Sequence, residues 1–214
     1  MALTKYNYNS FDVTPVASKA LAFNSDADGF TTGASTSMVL IETITASSDS
    51  TIEFDSGIDD TYPTYVIKFI NVHPSNNLVD FQLLFRDGST AYDAIKTTTA
   101  VRAYHNENDN DTTLGYVTSF DVAQGTGVHT LANNMGSGND ESLSGEMWLY
   151  NPSGTTFVKH FVADLNNYNQ DDYSVRHFSG GFCNVTAAID GVQVKCTSGN
   201  IDAGTFKLYG IKDS

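Results

Sequence analysis

The chain has little positive charge, little cysteine or proline, few strong helix formers and no long apolar run. Its 214 residues hold 11 Lys and Arg against 25 Asp and Glu, for a formal net charge of −14 at pH 7. Nucleic-acid binding is driven by clustered cations that neutralise phosphates. So few cations at this net charge exclude that partner, and anionic lipid is disfavoured for the same reason. The acidity reads first as solubility and mutual repulsion of free copies, with divalent-cation binding as the second use of surplus carboxylates. No run approaches the roughly 20 apolar residues of a membrane helix, and the opening Met1-Ala2-Leu3-Thr4-Lys5-Tyr6 lacks the apolar core of a signal peptide. Neither membrane insertion nor export by that route is expected.

What the chain does have is a strand-and-turn vocabulary: Thr, Ser, Asn, Asp, Gly, Tyr and Phe abound, while charged residues make up only 17%. Lys, Glu, Gln and Arg, which favour helices, are sparse, so helices should be few and short. Val79, Phe81, Leu83 and Phe85 alternate with Asp80, Gln82 and Arg86, the period of a half-buried strand. Tyr65 to Val72 is apolar on both faces except at Lys68, as in a central strand, and Pro74 ends it because proline cannot donate to the ladder. Further strands are expected over Met38 to Ala46, Thr51 to Phe54, Met147 to Tyr150, Phe157 to Ala163, Tyr173 to Phe178, Phe182 to Ile189, Val192 to Cys196 and Thr205 to Ile211.

Turn chemistry then proposes the pairings. Asn151-Pro152-Ser153-Gly154 reads as a hairpin, as do Asn76-Asn77 and Asp190-Gly191. The last two strands, joined by Ser198-Gly199-Asn200-Ile201-Asp202-Ala203-Gly204, read as antiparallel neighbours. Ala91 to Asn134 is looser, with a short helix or turn over Leu114 to Val122. About eight to ten short strands at this turn spacing predict an all-β fold, an antiparallel β-sandwich of jelly-roll type spanning residues 37–214.

Residues 1–36 read as an extended N-terminal arm. Tyr6, Tyr8 and Phe11 place rings on a polar extended segment, so they are the candidate partner-docking residues, with an edge strand of the same domain as the alternative. Asn24, Asp26 and Asp28, followed by Gly29, match the first half of a calcium loop, whose alternate residues point at one ion. The second half is missing, since Ser35 stands where a bidentate Glu belongs, and a plain Asn/Asp/Gly turn accounts for the same residues. His105-Asn106-Glu107-Asn108-Asp109-Asn110-Asp111 has a similar alternation but Thr112 in place of a turn glycine, so a solvated loop tip is the stronger reading. Calcium is the one cofactor these patterns bring into question.

No catalytic constellation is visible. His73, His105, His129, His160 and His177 carry none of the metalloprotease, nucleophile-elbow or Cys-His signatures, although His160 and His177 would meet if their strands paired with both on one face. The expectation is a protein that is not an enzyme. Its rival role is recognition: Tyr92, Tyr104, Tyr116 and Trp148 would stack on sugar faces if exposed, whereas Trp148 in a regular strand reads equally as core or interface packing.

Five segments resemble small proteins of marine tailed bacteriophages. They are Thr4-Lys5-Tyr6-Asn7-Tyr8-Asn9-Ser10-Phe11, Phe69-Ile70-Asn71-Val72-His73-Pro74, Ala103-Tyr104-His105-Asn106-Glu107, Thr156-Phe157-Val158-Lys159-His160, and Ser198 to Ile211. The resemblance implies a virion structural protein of β-sandwich type, assembled in the bacterial host cytoplasm on the particle exterior as a capsid decoration (cement) protein or a tail-fibre component. Other virion proteins would be its partners, and by analogy it would be a homo-oligomer, a trimer. A host-surface glycan would be the ligand if it acts as an adhesin. Cys183 and Cys196, in a particle assembled in the cytosol, are expected as buried thiols rather than a disulfide.

Overall fold

Fourteen strands and one 3-10 turn account for nearly all the regular structure in the computed structural model, which describes residues 21–23, 30–32 and 37–212. The chain divides between Ser37 and Met38 into two units. In the first, β1 (Leu21–Phe23) pairs antiparallel with β2 (Phe30–Thr32). Tyr6, Tyr8 and Phe11 of the expected docking arm, and Asn24, Asp26 and Asp28 of the expected calcium loop, lie outside the described residues.

The second unit is an all-β sandwich of two antiparallel sheets. Its strands are β3 (Met38–Thr45), β4 (Ile52–Phe54), β5 (Thr64–Pro74), β6 (Val79–Arg86), β7 (Lys96–Asn106), β8 (Thr112–Tyr116), β9 (His129–Met135), β10 (Leu143–Tyr150), β11 (Lys159–Tyr168), β12 (Tyr173–Cys183), β13 (Gly191–Cys196) and β14 (Ile201–Ile211). The large sheet runs β3-β14-β5-β10-β11-β12-β7-β8, and the small one β4-β13-β6-β9. Alternation does the sorting: in β11, for example, Lys159, Phe161, Ala163, Leu165 and Asn167 are buried while the residues between them face out.

Phenylalanines interlock the two sheets. Phe69 of β5 lies edge-on to Phe81 of β6 at 5.4 Å and to Phe206 of β14 at 6.0 Å, and Phe85 of β6 meets Phe161 of β11 at 5.0 Å. All five rings are at most 1% exposed. Cys183 and Cys196 are separate buried thiols on opposite sheets, and burial pushes each thiol pKa up to about 12. Lys96 and Lys159 flank Cys183 in register and are fully buried. Their ammonium groups donate to backbone carbonyls, Lys96 to Ala94 and Thr126 at 3.2 Å and Lys159 to Val185 at 2.8 Å, while burial lowers both pKa values.

Three expected hairpins are instead crossings between sheets. β5 and β6, on either side of Asn76-Asn77, belong to different sheets, as do β13 and β14. Asp190-Gly191 is no hairpin turn either, because β12 ends at Cys183 in the large sheet and β13 starts at Gly191 in the small one. Here Asp190 anchors Arg86, whose Nε donates to Asp190 Oδ1 at 2.9 Å. Each of these strands has one apolar face, and that face packs equally well from above or below the core, so alternation leaves the choice of sheet open. The Asn151 to Gly154 turn does join neighbours, β10 and β11. Phe157, expected inside a strand, is 76% exposed in the segment between that turn and β11.

The region that looked loose, Ala91 to Asn134, contains β7, β8 and β9. Its inward residues include Lys96, Thr98, Arg102 and Asn106, and polar residues on the inner face hide the period that apolar ones would have displayed. The large sheet is also wider than the small one. Beyond β9, the edge of the small sheet, the inner faces of β7 and β12 are covered by the 3-10 turn Thr118–Phe120 and nearby loops.

Candidate functional site

That step between the sheets forms a pocket of about 210 Å³. Alternation on β7 places Arg102 and Tyr104 on the same inner face, and β12 contributes Tyr173 and Val175 beside them. Asn133 and Asn134 come from β9, Asp111 from the loop just before β8, and Asn169 and Asp171 from the β11–β12 turn.

Each wall is held in place. Arg102 Nη1 donates to Asn133 Oδ1 at 3.0 Å and its guanidinium lies 5.4 Å from the centre of the Tyr104 ring. Tyr104 is edge-on to Tyr173 at 5.3 Å, and the Tyr173 hydroxyl donates to Asp111 Oδ2 at 2.9 Å, which raises the Tyr173 pKa. Asn169 is 6% exposed, and its Oδ1 accepts the backbone N–H groups of Asp171 and Tyr173 at 3.1 and 3.0 Å, fixing the turn. Asn134 sits at φ +54°, a left-handed conformation that asparagine tolerates better than most residues. Arg102 Nε is buried without a protein partner.

Behind the pocket the interior stays polar. His177, paired in register with Arg102, bonds Asn167 Oδ1 through Nε2 at 2.9 Å and stacks on Phe120 at 6.1 Å. His129 bonds the Phe120 carbonyl through Nδ1 at 3.0 Å. Both acceptors are oxygens, so Nε2 of His177 and Nδ1 of His129 carry the protons. The other ring nitrogens, His177 Nδ1 and His129 Nε2, are buried and unpartnered. Burial lowers the His129 pKa to about 4; burial, then the Arg102 charge, lowers that of His177 to about 3. Both rings are neutral at pH 7.

The other flagged residues have structural roles. His160 faces outward against Phe182 while His177 faces inward, so the two do not meet. The Asn106 loop satisfies itself: Asn106 Oδ1 accepts from the backbone of Asn110 and Asp111 at 3.1 Å, and His105 Nε2 pairs with Asp109 at 3.0 Å. Among the described residues no group of three or more His, Cys, Asp or Glu is placed to hold a metal ion. Asp59 binds the hydroxyl of buried Tyr65 at 3.0 Å. Trp148 lies on the outward face of the large sheet, in register with Val66 and Val162, and its indole N–H donates to Glu146 at 2.9 Å. Of the four rings proposed for sugar stacking, Tyr104 alone lines this pocket.

His73 ties three segments together. Nδ1 lies 2.7 Å from Asp202 Oδ1 and Nε2 3.0 Å from the Gly138 carbonyl, so two acceptors face two ring nitrogens and only the imidazolium satisfies both. Burial pulls its pKa down, but Asp202 and Gly138 outweigh that and hold it above 6.5. A raised pKa stabilises the fold fully below pH 6.5, and the contribution is lost as pH rises through the folded-state value. Amide exchange in the 136–142 loop should therefore speed up on the alkaline side of pH 6.5 beyond its intrinsic pH dependence, and Asp202→Asn should abolish that extra acceleration.

Comparison with protein-family models and with curated proteins returns no match for this chain.

Proposed function

We propose that the protein is a non-enzymatic, saccharide-binding β-sandwich on the exterior of a tailed-bacteriophage particle, a tail-fibre or decoration component that holds a host-surface glycan. The observation that carries the binding role is the Arg102/Tyr104/Tyr173 pocket. It joins two aromatic rings, three side-chain amides, two carboxylates and a guanidinium that has given only one terminal N–H to the protein. Hydroxyl-rich ligands need this mixture, because each hydroxyl both gives and accepts hydrogen bonds. At about 210 Å³ the pocket suits one sugar ring rather than a buried oligosaccharide.

Support for the particle exterior comes from the resemblance of the five segments above. The apolar row on the outward face of the large sheet, with Leu40, Tyr209, Trp148 and Val162 in register about the already buried Val66, adds a surface suited to burial against neighbouring subunits. Of these, Leu40 and Val162 are about half exposed, at 50% and 49%.

Glycan-array and host-cell binding by the isolated protein tests the proposal. Tyr104→Ala and Arg102→Ala should each weaken binding by about tenfold or more, equivalent to about 1.4 kcal/mol. Trp148→Ala, on the outward face, should leave it unchanged. Binding that survives both pocket substitutions, or no binding to any glycan or host cell, would refute the proposal.

A further inference from the structure

The geometry points to a neutral hexose, and not a carboxylated sugar, as the ring this pocket takes; the inference rests on the saccharide reading above. The lining offers one cation against two carboxylates. Arg102 has already given one N–H to Asn133, and its Nε is too deeply buried for a ligand to touch, so the donors it offers are its remaining terminal N–H groups. Asp111 spends one oxygen on Tyr173 and Asp171 one on Gln170, at 2.9 and 2.8 Å, which leaves the second oxygen of each as an acceptor.

A hydroxyl fits both kinds of wall, since it accepts from a terminal N–H of Arg102 while donating to Asp111 or Asp171. A ligand carboxylate accepts only. It would satisfy Arg102 but give nothing to the two aspartates, and it would sit near two like charges in a chain of net charge −14. The aspartates thus discriminate against uronic and sialic acids by repulsion as well as by lost hydrogen bonds.

The test is calorimetric or ligand-observed NMR titration of the full chain with methyl glycosides of glucose, galactose and mannose, and with glucuronic and N-acetylneuraminic acids. At least one neutral glycoside should bind, and both acids about tenfold or more weakly. In the double variant Asp111→Asn/Asp171→Asn, whose amide oxygens still accept the Tyr173 and Gln170 bonds, neutral affinity should fall because two acceptor oxygens become donors, while the carboxylated sugars gain by loss of repulsion, so the ratio between the classes should close by about tenfold. Added salt should narrow the gap in the wild type and not in the variant. An acid binding the wild type as tightly as the neutral sugars, or a gap unchanged in the variant, overturns this inference alone. If no sugar of either class binds, the saccharide reading falls, and this inference with it.

Discussion

Acidification from pH 6.5 to pH 4 should cost the folded protein about 6 kcal/mol through His129 and His177 alone, about 3 kcal/mol each. The sign follows from their folded-state pKa values, about 4 and about 3, both below the 6.5 of a free imidazole. Well above pH 6.5 neither state binds a proton and the full stability is present. As pH falls the unfolded chain takes up protons first, and stability is lost until the folded-state values are reached. The structural cause is specific: protonation would place an N–H at His129 Nε2 or His177 Nδ1, both buried and without acceptors. Against a typical total of about 5–15 kcal/mol, this loss brings the protein close to unfolding near pH 4. Denaturant titrations at pH 7, 5.5 and 4.5 measure it. The variant His129→Gln/His177→Gln keeps an N–H for each oxygen acceptor and removes the titration, so its midpoint should fall much less over that range. Parallel loss in wild type and variant would assign the acid sensitivity elsewhere.

The same histidines show why the sheet was easier to foresee than the site. Strands such as Val79 to Phe85 announce themselves because their inner residues are apolar. β7 does not, because its inner face carries Lys96, Thr98, Arg102 and Asn106, set against a polar interior where the small sheet has ended. The pocket grows from that same polar face, so what made the strand hard to see also builds the site. One signal was available: Val101-Arg102-Ala103-Tyr104 puts a guanidinium and a ring two residues apart, which in a strand means one face. Asn133, Asn169 and Asp171 join them only through the pairing of β12 with β7 and the position of β9, and no spacing along the chain encodes that. The crossings at Asn76 and Asp190 were hidden for a related reason, since turn residues report a change of direction and not which sheet receives the next strand.

Phe69→Ala should be the most damaging of the simple core truncations, at about 3–5 kcal/mol. The ring is 1% exposed and lies edge-on to both Phe81 and Phe206, so it joins β5 and β14 of the large sheet to β6 of the small one. Removing it forfeits its burial and two aromatic contacts worth about 0.5–1.5 kcal/mol each, and it leaves a void walled by side chains on two sheets. Such a void closes poorly, because collapse would require the sheets themselves to approach, and their spacing is set by Phe85 against Phe161 at 5.0 Å. Phe69→Leu, which refills most of the space, should recover much of the loss. Phe157→Ala, at a ring 76% exposed, should cost no more than about 0.5 kcal/mol. Urea unfolding with an unchanged slope would assign these differences to the native state. A Phe69→Ala loss as small as that of Phe157→Ala would mean that the two sheets are held by their remaining contacts and that the phenylalanine interlock does not set the stability of the sandwich on which the pocket is built.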